Sequence, residues 1–377
     1  MFSVNQLQTP QVLVDQLILE WNIKHLQEIA DQNQVKLRPH IKTHKSVEIF
    51  QMQAAAGAVG ITASKPAEAL PFLEAGVKSI TLAYPVIDER KLTPFLKRAQ
   101  ELNAEINLCI DNAEGLAIAY KVATRVRFQV GLYIIINIGY NRCGLEPNDE
   151  RILELAQQIG RYKYLGFKGL LTHNGLTYDV ASWKKLTKVN RKEVNQLLKL
   201  KHRLEAAGIA VDEISVGSTP GTLMGEGLEG VTEIRPGNYV FMDRTPVAMK
   251  LIKKRAVAQT ILASVISENE HYYIIDAGKK VLSSDKRGDQ DDYGLAYPLD
   301  HYPKKAFEFK VVKLSEEHGF IGKRKGLELK VGDLVRILPN HSCVVSNLTR
   351  YFCLVDGDQY LRPIAVDAGL TSHGALP

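Results

Sequence analysis

Two textures of apolar residues alternate along the first two thirds of the chain. Short, near-continuous apolar runs at 35–39, 58–63, 79–84, 105–110, 131–138, 166–172, 213–217 and 232–235 predict strands. Between most of them, apolar residues recur every three or four positions, which predicts amphipathic helices at 21–32, 46–56, 65–75, 88–102, 149–159 and 183–207. Gly57, Gly76 and Gly208 stand where such helices would end, a position that favours glycine. Near-continuous apolar strands are buried on both faces, so the pattern predicts a parallel sheet covered by helices. The α/β units, eight in number, favour closure into a (β/α)8 TIM-type barrel over an open sheet.

The texture changes near residue 248. Runs at 256–267, 272–276, 307–314, 334–338 and 343–348 read as strands separated by turn residues, which predicts a second, mostly β C-terminal domain. The expected division is a barrel over 16–248 and a β domain over 249–377, with the short strand at 9–15 placing residues 1–15 in the latter. The polar stretch 285–292 reads as a loop.

Composition narrows the class. A chain of 377 residues is too long for one ordinary core, and 45% hydrophobic with 24% charged residues describes a soluble globular protein. A net charge of +6 fits a preference for anionic small molecules, and no arginine-rich stripe points to nucleic acid. The sequence starts without a signal-peptide pattern and holds no membrane-length apolar stretch. Cys109, Cys143, Cys343 and Cys353 lack CxxC spacing, so a reducing, cytoplasmic setting is expected.

The expected strand ends hold the chemistry. Residues 35–45 deliver His40, Lys42, His44 and Lys45 just after the first barrel strand. A desolvated lysine there is a nucleophile for carbonyls, and Lys42 is the candidate; Lys45 and a plain solvated loop are the alternatives. Arg142, in a glycine-flanked loop, suits a phenolate or a carboxylate, or a surface ion pair. His173 ends another strand, where a satisfied core role is more common than a catalytic one. The stretch Gly217-Ser218-Thr219 and the stretch Arg235-Pro236-Gly237-Asn238 follow the last two strands, where barrels commonly bind phosphate. A lysine near the first strand and phosphate loops near the last two are what pyridoxal 5′-phosphate requires.

At this point the sequence resembles a known family. Arg38-Pro39-His40-Ile41-Lys42-Thr43-His44-Lys45 is similar to the lysine motif of the D-threonine aldolase and D-serine dehydratase family, fold-type III pyridoxal-phosphate enzymes distantly similar to alanine racemase. The likeness extends to Asn141-Arg142-Cys143-Gly144, Gly217-Ser218-Thr219, the stretch from Glu233 to Tyr239, and Asn340-His341-Ser342-Cys343. It implies that Lys42 carries the cofactor as a Schiff base and that Arg142 faces its phenolic oxygen. It places His173 near the ring or substrate. It gives the phosphate to Gly217, Ser218, Thr219, Gly237 and Asn238, and puts Arg235 opposite the ring nitrogen. The implied activity is a lyase acting on β-hydroxy-D-amino acids, dehydratase-like or aldolase-like, in a homodimer whose β domain covers the partner's barrel. An amino-acid racemase and a non-catalytic cofactor carrier are the alternatives. His341 and Cys343 are expected to share one face of a strand over 334–348 and to bind a divalent metal, with zinc suited to a nitrogen–sulfur pair. From spacing alone a core cysteine beside a loop histidine is the simpler reading; the resemblance favours the metal, and the His-x-Cys pair resembles the dehydratase branch.

Overall fold

A computed structural model describes residues 2–180, 182–286 and 291–369. The described chain forms two compact units, one built from 24–42 and 49–237, the other from 2–23, 43–48 and 238–369.

The first unit contains the eight parallel strands expected from the apolar runs: β1 (Lys36–Leu37), β2 (Ile61–Ala63), β3 (Ser79–Leu82), β4 (Glu105–Ile110), β5 (Val130–Ile135), β6 (Leu165–Leu171), β7 (Glu213–Val216) and β8 (Glu233–Ile234). Their hydrogen-bonded order is β1-β8-β7-β6-β5-β4-β3-β2. A parallel bridge between His40 and Thr62 joins the ends of β1 and β2 and closes the ring. The strands are apolar throughout because both faces are covered; all six residues of β5 are buried. The intervening helices use the three-and-four spacing read above. Helix Glu89–Glu101 buries Leu92, Phe95, Leu96 and Ala99, and Asp88 caps it by accepting from the Arg90 backbone N–H at 3.0 Å.

The barrel interior also holds a polar layer. Arg38 Nε donates to Glu233 at 2.6 Å, the Ser215 hydroxyl donates to the other oxygen of Glu233 at 2.6 Å, and Arg235 Nε donates to Ser215 Oγ at 2.7 Å. Both members of the Arg38–Glu233 pair are buried. Arg38→Met therefore leaves a buried carboxylate uncompensated, and a stability loss of about 3–5 kcal/mol is expected in denaturant unfolding.

The second unit is a sheet of mostly antiparallel strands: β9 (Gln259–Glu268), β10 (Tyr272–Ile275), β11 (Gly294–Pro298), β12 (Phe309–Leu314), β13 (Gly319–Gly322), β14 (Leu334–Pro339), β15 (Tyr351–Asp356) and β16 (Gln359–Ala365). The N-terminal strand Gln11–Asp15 lies antiparallel to β9 and parallel to β15. Four of the expected runs become β9, β10, β12 and β14. The fifth does not: 343–348 belongs to a helix, Ser342–Leu348. Ser342, Val345 and Ser346 are buried on one helical face, and Asp243 from a distant segment accepts from the Ser342 backbone N–H at 3.1 Å. That tertiary contact starts a helix where residue alternation reads as strand. Of the expected loop 285–292, residues 287–290 lie outside the described residues, and the flanking positions have no regular structure. Among the described residues, no helix is long and apolar enough to cross a membrane.

Candidate active site

Lys42 lies in the single helical turn Ile41–Thr43 that follows β1. The chain leading to it is held on both sides, by the His40 backbone N–H donating to Pro236 and the Thr62 backbone N–H donating to Pro39. These bonds place the turn at the C-terminal end of the barrel. The surrounding electrostatics report which of the expected residues meet there. His40 is held well below its usual pKa by burial and by the charges of Lys42, Arg235 and Arg142, with His173 also contributing. His173 is pushed down to about 3 by burial, Arg142 and Lys42, against the opposing hydrogen bond to Gly217. Lys42, Arg142, His173 and Arg235 thus share one neighbourhood with His40, as expected of four residues from four strand ends.

Both imidazoles are neutral there, and their tautomers follow from their partners. His173 Nδ1–H donates to the Gly217 carbonyl at 3.0 Å, which leaves Nε2 as a bare acceptor. The Lys42 backbone N–H donates to His40 Nδ1 over 3.4 Å, which puts the His40 proton on Nε2. Tyr140 meets the His173 ring edge-on at 5.9 Å, and Arg142 lies over the Tyr140 ring at 5.7 Å. Arg235 is anchored on Ser215 and on the Thr172 carbonyl, so its guanidinium is fixed inside the barrel. The sequence reading gave no role to His40 or Tyr140; the histidine directly after Pro39, which breaks the strand end, and the aromatic two positions before Arg142 were the available signals.

The turn after β7 is built differently from the expectation in one respect. Gly217 has φ +149°, and a Cβ there would come within 2.8 Å of the Arg235 backbone nitrogen. Ser218 uses its hydroxyl internally: it accepts from the Gly221 backbone N–H at 3.2 Å and shares a 2.7 Å hydrogen bond with the Thr177 hydroxyl. Thr219 Oγ1 is buried and has no hydrogen-bond partner among the described residues. The side chain free for a ligand is therefore Thr219, while Ser218 holds the turn in shape. Gly237 follows β8 in the barrel unit. Asn238 belongs to the second unit, and its amide donates to Asp243 and to Ser342 Oγ, both at 2.7 Å. The Asn238 side-chain amide is therefore committed within its own unit.

In the second unit, His341 occupies the N-cap of helix Ser342–Leu348, and Cys343 stands one residue inside. The strand geometry expected for this pair is absent, yet the two side chains interact across the helix start. His341 Nδ1 lies 2.6 Å from Asp285 Oδ2, and Thr43 Oγ1 lies 3.2 Å from Cys343 Sγ. Burial would lower the His341 pKa, but Cys343, Asp243 and Asp285 outweigh it and raise it to about 10. These neighbours favour the protonated, cationic form of the imidazole. Among the described residues no cluster of three or more His, Cys, Asp or Glu is arranged to enclose a metal.

The family model for the alanine racemase N-terminal domain matches residues 14–245, and a serine dehydratase domain model matches 258–355. The D-threo-3-hydroxyaspartate dehydratase of Delftia sp. (strain HT23) is 32% identical over 354 residues, covering 89% of this chain and 91% of that protein. Its solved structure superposes with a TM-score of 0.89 over 97% of this chain and 99% of its own. The D-threonine aldolase of Arthrobacter sp. is 30% identical over 90% of this chain and 87% of that protein. The D-serine dehydratase of Dictyostelium discoideum is 27% identical over 95% and 96%. With both domains matched and relatives aligned over nearly its whole length, the chain belongs to the alanine racemase-like, fold-type III family, in the branch of D-serine dehydratases and D-threonine aldolases.

Proposed function

We propose that this chain is a pyridoxal 5′-phosphate- and divalent-metal-dependent lyase acting on β-hydroxy-D-amino acids. The observation that carries the reading is the meeting of Lys42 with two neutral histidines and two arginines at the barrel's C-terminal end. The residues fit the cofactor. The Thr219 hydroxyl is orphaned beside a turn whose glycine lets the backbone come close, and three cations suit an anionic ligand. Lys42 would hold the aldehyde, Arg142 the phenolic oxygen, and the 217–219 turn with Gly237 and the Asn238 backbone the phosphate. When bound, the cofactor supplies a ring that accepts electrons from Cα.

The chain's own residues supply the proton handling. Lys42 is the base for the α-proton, and the Nε2 lone pair of neutral His173 can accept or relay one. His341 and Cys343 would hold the metal; nitrogen and sulfur donors suit zinc over magnesium or calcium. Such an ion polarises a hydroxyl as a Lewis acid, which is the activation a β-hydroxyl leaving group needs. Two solved structures support this assignment. D-threo-3-hydroxyaspartate dehydratase has been solved as a cysteine-to-alanine variant in the metal-free form and as a histidine-to-alanine variant, the two positions two residues apart like His341 and Cys343. The nitrogen–sulfur pair leads us to favour dehydration over aldol cleavage. Product analysis with D-threonine decides it. 2-Oxobutyrate and ammonia are expected; glycine and acetaldehyde would mean aldolase, and L-configured or epimerised amino acid alone would mean racemase.

Gly217→Val tests the phosphate position. The added strain and steric conflict amount to about 1–3 kcal/mol, so cofactor affinity should fall about tenfold or more in titrations of apo-protein. Unchanged binding would place the phosphate elsewhere. By family likeness we also infer a homodimer, which light scattering on the eluting protein checks. The four cysteines, none of them in a disulfide among the described residues, fit a reducing, cytoplasmic compartment.

A further inference from the structure

Glu193 has no role in the reaction outlined above, yet its carboxyl is buried in the barrel unit. It lies on helix Trp183–Ala206, is buried, and faces a cavity the size of one water molecule behind the 217–222 turn. Gly217, Ser218, Gly221 and Thr222 line the same cavity. Glu193 Oε2 accepts from Asn174 Nδ2 at 2.9 Å, whereas Oε1 has no hydrogen-bond partner among the described residues.

A continuous chain of hydrogen bonds runs from this carboxyl to the turn. Asn174, the neighbour of His173, is held by Glu193. The Asn174 carbonyl accepts from the Thr177 hydroxyl at 2.7 Å, that hydroxyl meets Ser218 Oγ at 2.7 Å, and Ser218 Oγ caps the Gly221 backbone N–H at 3.2 Å. Asn190, one turn before Glu193 on the same helix, donates to the Gly221 carbonyl at 2.6 Å. A charge on Oε1 would meet no protein donor among the described residues. The cavity lining contributes no other charged side chain. Arg235 is the charged group that acts on Glu193, and Glu226, beside the cavity's Gly227, is engaged by Thr187 at 3.0 Å.

We propose that Glu193 is a positioning residue that braces the phosphate turn as the neutral acid, so that phosphate binding is coupled to retention or uptake of its proton. The inference rests on the cofactor reading above. Burial raises the Glu193 pKa to about 7, against the opposing effects of Asn174 and Arg235. A raised acid contributes fully below its ordinary value and loses that contribution as pH rises through about 7. A bound phosphate adds negative charge nearby and raises it further. Cofactor affinity should therefore fall as pH climbs above 7.

The probe is pyridoxine 5′-phosphate, which lacks the aldehyde and forms no bond to lysine, titrated into full-length apo-protein between pH 6 and 9. Wild-type affinity is expected to weaken by about tenfold per pH unit above 7, as one linked proton requires. Glu193→Gln, the isostere of the neutral acid, should keep the low-pH affinity and lose that slope, while Glu193→Leu should bind weakly throughout. Calorimetry of the wild type in two buffers of different ionisation enthalpy should count close to one proton taken up near pH 8 beyond that bound by the phosphate itself, whether or not the variants fold. A slope shared by wild type and Glu193→Gln, or no such proton, overturns the role of Glu193 while leaving the cofactor reading intact. Failure of every form to bind either pyridoxine phosphate or the cofactor overturns the cofactor reading itself.

Discussion

Lys42→Ala should leave a folded protein that has lost the visible absorbance of lysine-bound cofactor and essentially all lyase activity. Loss of a positioned proton acceptor alone accounts for about 10²–10⁴-fold. The covalent attachment goes with it, so the drop should reach the upper end. Cofactor affinity should decline less, because the phosphate turn and Arg142 remain. The structure also separates Lys42 from its rival. Lys45 has its ammonium donating to Asn347 Oδ1 at 2.6 Å, in the second unit, whereas Lys42 acts on the two neutral histidines of the barrel. Lys45→Ala should keep the absorbance band. The opposite pattern, with the band lost in Lys45→Ala and kept in Lys42→Ala, would move the cofactor to the wrong side of that comparison and reject the assignment.

Cys343→Ala should purify with cofactor but without stoichiometric metal. On the proposed His341–Cys343 assignment, losing the sulfur leaves a single imidazole, which does not retain a divalent ion against a chelator. Lewis-acid activation contributes several kcal/mol, so turnover of a β-hydroxy-D-amino acid should fall about 100-fold or more. Asp285→Asn offers a graded comparison. It keeps both ligands and weakens only the carboxylate that orients His341 through Nδ1, so metal affinity should fall about 10- to 100-fold. Metal analysis and activity after chelation read both variants. Full activity in metal-free wild type would remove the metal from the mechanism and favour racemase chemistry.

The strand and helix pattern of the barrel was legible because each strand is buried on both faces and each helix on one, so burial imprints period directly on composition. The segment 343–348 was not. Its start is set by Asp243, a hundred residues away in sequence, and a contact of that range leaves no local period. Ser218 and Thr219 show the same limit at the scale of single atoms. Adjacent hydroxyl residues after a strand read as one phosphate loop, but Thr177 occupies the first hydroxyl and no described residue occupies the second.

The linear order of residues by itself determined the eight α/β units, the mostly β domain after them and the types of side chain at the strand ends, since these follow from periodic burial and from chain punctuation. The family likeness of the lysine motif was likewise complete in the sequence. Only tertiary structure decided that His40 and His173 are neutral, because burial and the surrounding charges of Lys42, Arg142 and Arg235 converge from different strands. Only it decided that His341 carries a carboxylate partner in Asp285, and that Glu193, an unremarked residue in a charged helix, turns its carboxyl inward behind the phosphate turn. Protonation and hydrogen-bond commitment depend on what surrounds a group in space, and neighbours in space here are tens to hundreds of residues apart along the chain.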